Sequence, residues 1–230
     1  MFHQQPKRHP SNTKLKLHYS NEYRGFAVQQ QLAHGPLIEN YLERGLETLQ
    51  HCLSVQARTF VCRVDLRYPV GLMPPDALIS NEVMTRFFYH LSKELTWADT
   101  KYPTDIRYIW CRERNISQAP HYHLMLLLNY DAIGGLGNYG PSEDGTYSRD
   151  NLFHRIVRAW AWAIGCAPHE MSGLVHACQD KLSGQVYQCL DRRFPDSLRL
   201  VVYAMSYLCK EYSKSQELQQ GFAVFTTSRI

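Results

Sequence analysis

The stretch HYHLMLLLN, His121 to Asn129, places two imidazoles one residue apart at the head of an apolar run. In an extended strand, side chains two residues apart share a face. His121 and His123 therefore project together, followed by Met125 and Leu127, with Tyr122, Leu124, Leu126 and Leu128 on the other face. The preceding run DIRYIWCRE, residues 105–113, reads as a second strand, and Pro120 closes the short connection. A hairpin around Arg114–Pro120 would set Glu113 opposite His121 and Cys111 opposite His123. Directly opposed residues share a face with Cβ atoms ~4.5–5.5 Å apart. Two neutral imidazoles and a carboxylate then converge, a donor set suited to a divalent metal ion. From the pattern alone, a pair of half-buried, hydrogen-bonded structural histidines is an equally good reading. Zinc hydrolases and non-haem iron oxygenases use similar sets. The H-E-x-x-H helix signature of the former is absent, and no third histidine in a jelly-roll context supports the latter.

A second set of chemically able residues lies in VVYAMSYLCKEYSK, Val201 to Lys214. Read as part of a helix over residues 197–214, it stacks Tyr203, Tyr207, Lys210 and Lys214 on one face at i, i+4, i+7 and i+11. Val201, Met205 and Leu208 lie on the other side, available to dock on a sheet. A lone tyrosine in such a place usually borders a core with its hydroxyl in water. A Tyr/Tyr/Lys face downstream of a strand-borne His-x-His is more specific.

Taken in order, Glu113, His121-Tyr122-His123 and Tyr207-Leu208-Cys209-Lys210 resemble the motifs of the His-hydrophobe-His (HUH) endonucleases. That superfamily includes the relaxases and the initiators of rolling-circle replication. The wording SYLCK (Ser206–Lys210), with VDLRYP (Val64–Pro69) and HYHLMLLLN, more narrowly resembles the replication initiators of filamentous phages (inoviruses) and their prophage relatives. The resemblance covers roughly residues 20–215. It implies an HUH/RRM-like nuclease fold and a metal-dependent enzyme that nicks and religates single-stranded DNA at a replication origin. It implies Glu113, His121 and His123 as ligands of Mg²⁺ or Mn²⁺, although imidazoles alone favour Mn²⁺ or Zn²⁺ over Mg²⁺. It implies Tyr207 as the nucleophile, leaving a 5′-phosphotyrosine and a free 3′-OH. Two-tyrosine members carry Y-x-x-x-Y-x-x-K, which Tyr203 to Lys210 reproduces, so Tyr203 is a candidate second nucleophile. A free tyrosine has a pKa of ~10, and Lys210 is placed to favour the phenolate or to hold a phosphate. Asp65 has two readings: a partner for a metal-bound histidine, or a surface ion pair with Arg63 and Arg67. The alternative function is a non-catalytic DNA-binding phage or prophage regulator that retains the fold. No Walker A motif occurs, so unwinding would fall to a separate host or phage helicase.

The elements that must position these residues follow from patterning. Helical spacing runs from Pro36 to about Val55, and a period of two runs from Arg58 to Pro69, with one apolar and one charged face. A second helix starts at Ser80 or Asn81 and carries Val83, Phe87, Leu91 and Leu95. Residues 131–149 hold five glycines and form a long loop. A third helix runs from a capping Asp150 to Gly165, residues 172–190 are ambiguous, and a short strand falls near Leu174–Ala177. These elements fit one α+β domain with helices on a mainly antiparallel central sheet. It spans residues 25–215, between a flexible basic arm (1–24) and a C-terminal tail (216–230).

The formal charge is +4, with most of the excess in the arm at Lys7, Arg8, Lys14 and Lys16. Any DNA surface on the body is therefore a local patch, with Arg63, Arg67, Arg192, Arg193, Tyr139 and Tyr147 as candidates. The seven cysteines form no C-x-x-C pair, which reads as reduced thiols. No apolar stretch approaches a membrane span and no signal core opens the chain, so a cytoplasmic protein without a membrane partner is expected.

Overall fold

A computed structural model describes residues 5–71, 77, 79–98, 100–114, 119–212, 214 and 221–229. In chain order its strands and helices are β1 (Arg8–His9), β2 (Asn12–His18), β3 (Glu22–Tyr23), β4 (Phe26–Ala27), β5 (Leu37–Ile38), α1 (Glu39–Val55), β6 (Arg58–Leu66) and α2 (Glu82–Thr96). Then come β7 (Arg107–Glu113), β8 (His121–Asn129), α3 (Leu152–Ile164), β9 (Val175–Ala177), β10 (Tyr187–Asp191), α4 (Pro195–Ser206) and β11 (Phe225–Thr227). The fold is α+β. A six-stranded sheet runs β10-β6-β8-β7-β11, with β9 also pairing to β6, and every one of these pairings is antiparallel.

Alternation along the strands feeds two apolar layers. Phe60, Cys62, Val64 and Leu66 of β6 and Tyr122, Leu124, Leu126 and Leu128 of β8 pack against Phe87 and Leu91 of α2 and Ile156 and Trp160 of α3. The opposite face presents Val61, Ile109, Cys111, Met125 and Leu127 to Leu42, Leu46 and Leu49 of α1 and Val201 and Met205 of α4. The β6 face expected to be charged is therefore covered too: Val61 and Asp65 are both buried. The charged residues on it cluster toward one end, where the helical cover gives way to a polar site. Gly45 lets α1 and α4 approach closely, because a Cβ there would collide with Met205 Sδ.

Several boundaries differ from the sequence expectation. The segment read as a flexible arm contains β1 and β2, and β2 pairs with β5. The sequence KLKLH supplies the reason: Leu15 and Leu17 alternate with polar residues and pack on the α1/α4 core. The C-terminal stretch read as a tail contains β11, whose Phe225 is buried opposite Cys111 of β7 and stacks on Tyr41 of α1 at 4.4 Å. The cap of α3 is Asn151, which accepts from the His154 backbone N–H, and not Asp150. Gly165 ends that helix at φ 77°, a left-handed conformation that glycine adopts without steric cost. Residues 172–190 resolve into β9 and β10. The final helix stops at Ser206, eight residues short of Lys214, and continues as a single 3-10 turn, Tyr207–Cys209. Among the described residues no helix is long and apolar enough to cross a membrane.

Candidate metal centre and tyrosine site

The β7–β8 hairpin has the expected register, with Glu113 opposite His121 and Cys111 opposite His123. Both histidines and the carboxylate share the face covered by α1 and α4, at the open end of the sheet. Glu113 and His123 are buried, and His121 is half-buried. One ligand atom from each of the three lies within 4.8 Å of the others. Glu113 Oε2 is 3.0 Å from His123 Nε2 and 3.5 Å from His121 Nε2. Donors bound at about 2.1 Å to one ion are separated by roughly 3.0–3.5 Å, depending on geometry. The buried His123 Nε2 faces Glu113 without an aligned hydrogen bond. The residues present thus fit a metal ion, and this group can hold one.

The other carboxylate oxygen is engaged differently. Glu113 Oε1 lies 3.6 Å from Lys210 Nζ and 3.8 Å from Lys214 Nζ, both lysines being buried. One oxygen of Glu113 therefore faces the imidazoles and the other faces two ammonium groups. Burial alone would raise the Glu113 carboxyl, but His121, His123 and Lys214 hold it far below the usual carboxylate range.

Asp65, on β6, is directly opposite His123 in register. His123 Nδ1 donates to Asp65 Oδ1 at 2.5 Å. A proton on Nδ1 leaves the Nε2 lone pair directed at Glu113 and His121, the tautomer a metal ligand needs. Burial opposes ionisation at both groups. Their mutual interaction nevertheless lowers the Asp65 pKa and raises that of His123, with Glu113 adding to the rise. The ion pair with Arg67 is longer, at 3.8 Å, and the Cys178 thiol contacts Asp65 Oδ1 at 3.3 Å. Burial and then the Asp65 charge push the Cys178 thiol up to about 12, so it is protonated at neutral pH. Of the two readings of Asp65, the bond to His123 is much the shorter; Arg63 instead donates to the Ala204 carbonyl at 3.1 Å.

Tyr207 reaches the cluster from the 3-10 turn that follows α4. Its ring meets that of His123 edge-on at 5.4 Å between centroids, and the Arg63 guanidinium lies 4.7 Å from its centroid. Lys210 Nζ lies 3.5 Å from the same centroid. The continuous helix expected over Tyr207–Lys214 is absent, and the 3-10 turn explains this contact. Residues i and i+3 eclipse in that geometry, so Lys210 falls directly over Tyr207. Lys210 itself is extended, at φ −57° and ψ 138°, and bridges to Leu37. Burial pushes the Tyr207 phenol above its ordinary pKa, against the opposing pull of Lys210. The resting side chain is therefore a neutral phenol.

Tyr203, one turn earlier, is half-buried. Its backbone carbonyl accepts from Gln29 and Ser206. Among the described residues no ion pair or ring contact joins it to Glu113, His121 or His123. Sequence reasoning placed Lys214 on the tyrosine face but gave it no role, and it missed Cys178. The i+4 step from Lys210 is the signal for the first; Cys178 lies just past the short strand expected near Leu174–Ala177, and nothing in the sequence pairs that strand with β6 beside Asp65. Of the candidate DNA contacts, Tyr147 is buried and Tyr139 exposed. Arg192 donates to the Leu53, Ser54 and Gln56 carbonyls, and Arg193 pairs with Asp191.

Residues 21–228 match the family profile described as the YagK/YfjJ C-terminal domain. Over 155 residues the chain is 28% identical to uncharacterized protein YfjJ of Escherichia coli (strain K12), covering 60% of this chain and 71% of that protein. Over 194 residues it is 27% identical to uncharacterized protein YagK of the same organism, covering 79% of this chain and 89% of that one. No solved structure matches the chain. The profile takes in both sides of the site, from the β7–β8 hairpin to the Tyr207 turn, and the chain belongs to the YagK/YfjJ C-terminal domain family.

Proposed function

We propose that this protein is an HUH-type single-strand DNA endonuclease and strand transferase of the rolling-circle initiator kind, with Tyr207 as nucleophile. The observation that carries this reading is the meeting of Tyr207 with the metal-capable group. Its ring packs on His123, and Lys210 spans from that ring to Glu113. Neither motif contains the other in sequence, and a purely structural histidine pair would not need a tyrosine and two buried lysines brought to it.

Glu113, His121 and His123 would hold the ion, Mg²⁺ or Mn²⁺. When bound, it would relieve charge on the phosphoryl oxygens and orient the scissile phosphate. Asp65 fixes the ring of His123 in the binding tautomer. Arg63 and Lys210 add positive charge beside Tyr207, which favours a phosphodiester there. The Tyr207 oxygen forms a bond to phosphorus as the bond to the 3′ oxygen breaks. The phenolic proton leaves to water, and the departing oxygen takes up a proton as a free 3′-OH. No water enters the new ester, so the strand can be rejoined by the reverse attack. Tyr203 is four residues earlier, in the last turns of α4, and is the candidate for a second transfer.

The test is covalent capture. Purified protein is incubated with labelled single-stranded oligonucleotides and Mn²⁺ and run on a denaturing gel. A protein–DNA adduct should form with wild type and with Tyr203→Phe, and should be lost with Tyr207→Phe while DNA binding persists. A wild-type chain that forms no adduct with any strand of the replicon or prophage that encodes it would refute the nuclease reading. An adduct that follows Tyr203 or Tyr212 would refute the assignment of Tyr207.

A further inference from the structure

The strap that carries Lys210 past Tyr207 is held from outside by the N-terminal strands. Lys210 bridges to Leu37, and the Glu211 N–H donates to the Pro36 carbonyl at 3.1 Å. These backbone contacts tie the strap to the start of β5. A side-chain contact ties it further. His9, on β1, is 5% exposed, and its Nε2 lies 2.8 Å from Glu211 Oε1. Its Nδ1 accepts from the Ser11 N–H at 3.1 Å, so Nε2 carries the proton and donates to Glu211. β1 is braced in turn by β2, and β2 by β5 and by the Asn40 side chain, which accepts from the Lys16 N–H at 2.7 Å. On the strap's other side, the turn Gln31–Gly35 is close enough that a Cβ on Gly35 would stand 3.2 Å from Glu211 Oε2.

We propose that His9 is a positioning residue for Lys210, acting through Glu211, so that the first strands of the chain set the cation beside Tyr207 and Glu113. This rests on the nuclease reading for its functional consequence, but not for its mechanics. Glu211 is the immediate neighbour of Lys210, just where the chain leaves the 3-10 turn in an extended conformation. Where the carboxylate is anchored therefore decides where the adjacent ammonium points. The Lys210 ammonium must be within reach of both the Tyr207 ring, at 3.5 Å, and Glu113 Oε1, at 3.6 Å, which leaves little room for displacement.

The experiment uses the full chain in three forms: wild type, His9→Ala, and His9→Gln, whose amide N–H replaces the Nε2 donor. Far-UV circular dichroism and urea unfolding establish that each variant is folded. The first readout needs no DNA. Trypsin cleaves after lysine, and Lys210 is buried. In His9→Ala, cleavage after Lys210, identified by mass spectrometry, should be about tenfold faster or more, since proteolysis follows the population of the opened segment. The second readout is nicking of an oligonucleotide that the wild type cleaves. Here kcat should fall roughly 10- to 100-fold with KM unchanged, the signature of a displaced group rather than a lost DNA contact. His9→Gln should restore both. A folded His9→Ala protein with wild-type proteolysis and wild-type kcat overturns the proposal, as does a rise in KM alone. Failure of His9→Gln to rescue also overturns it. If wild type cleaves no DNA but protection of Lys210 still follows His9, the positioning stands and the nuclease reading falls.

Discussion

Replacing Asp65 with asparagine isolates the contribution of one charge to the candidate metal centre. Asparagine keeps the volume of aspartate and offers Oδ1 as an acceptor, so the 2.5 Å contact with His123 Nδ1 can persist as a neutral hydrogen bond. Hydrogen bonds to a charged group contribute ~1.5–3 kcal/mol, against ~0.5–1.5 for a neutral pair. The Asp65 side chain is 12% exposed and that of His123 8%, so water screens little of the difference. About 1–1.5 kcal/mol of support for His123 is thus removed, which corresponds to a metal affinity lower by roughly tenfold. This falls at the lower end of the ~10–100-fold range typical for partners of metal-bound histidines. Titration calorimetry with MnCl₂ on wild type and Asp65→Asn measures it directly, without reference to any reaction. An affinity within about a factor of two of wild type would refute the claim that Asp65 orients a ligand.

Other changes test other parts of the structure. His121→Ala and His123→Ala should each abolish the Mn²⁺ heat in the same calorimeter while leaving the far-UV spectrum intact; retained binding would remove them from the donor set. Glu113→Ala takes away the carboxylate shared by buried Lys210 and Lys214, and should cost roughly 3 kcal/mol in urea unfolding, with Glu113→Gln costing less. Trp160 is fully buried and donates to the Arg67 carbonyl at 2.7 Å, so Trp160→Ala should destabilise by about 3–5 kcal/mol. Trp162, 53% exposed, should tolerate the same change within about 0.5 kcal/mol. Gly45→Ala should cost about 1–3 kcal/mol because of the Met205 contact, and most of that cost should vanish in a Met205→Ala background.

The parts of the molecule legible in the sequence are those where a run is long enough to declare its element. The nine residues of β8 carry an unbroken apolar run that reads as a strand, and the two-residue repeat of strand geometry then gives the face shared by His121 and His123 and, through the short connection, the register of Glu113. Helices α1 and α2 were legible from the helical spacing of their apolar residues. Short strands were less so: a strand is expected near Leu174–Ala177, where β9 lies, but β10 stays ambiguous within residues 172–190, and the three residues of β11 are too few for a pattern to rise above composition. The N-terminal strands were obscured by Pro6, Pro10 and four basic residues, which suggest solvation, although Leu15 and Leu17 carry the alternation that seats β2. The role of Asp65 depended on knowing that β6 lies beside β8 in the register that opposes Asp65 to His123, a non-local pairing that alternation within one strand cannot supply.

The tyrosine segment is the most instructive departure. A helical wheel puts Tyr207 and Lys210 near one another at about 300° of rotation, a separation of 60° around the axis. In the 3-10 turn the two are instead eclipsed, and the lysine covers the ring. The tighter turn is poor at extending a helix, and here it does not extend one. The chain leaves it at Lys210 into an extended conformation and is caught by Leu37 and Pro36. The 3-10 turn across this Y-x-x-K spacing thus does two jobs: it stacks the cation on the phenol, and it ends the helix where the strap turns back to β5. A regular α-helix through Lys214 would keep the spacing and lose the second. The strap is therefore as much a part of the candidate site as the three donors, and its geometry depends on the first strands of the chain.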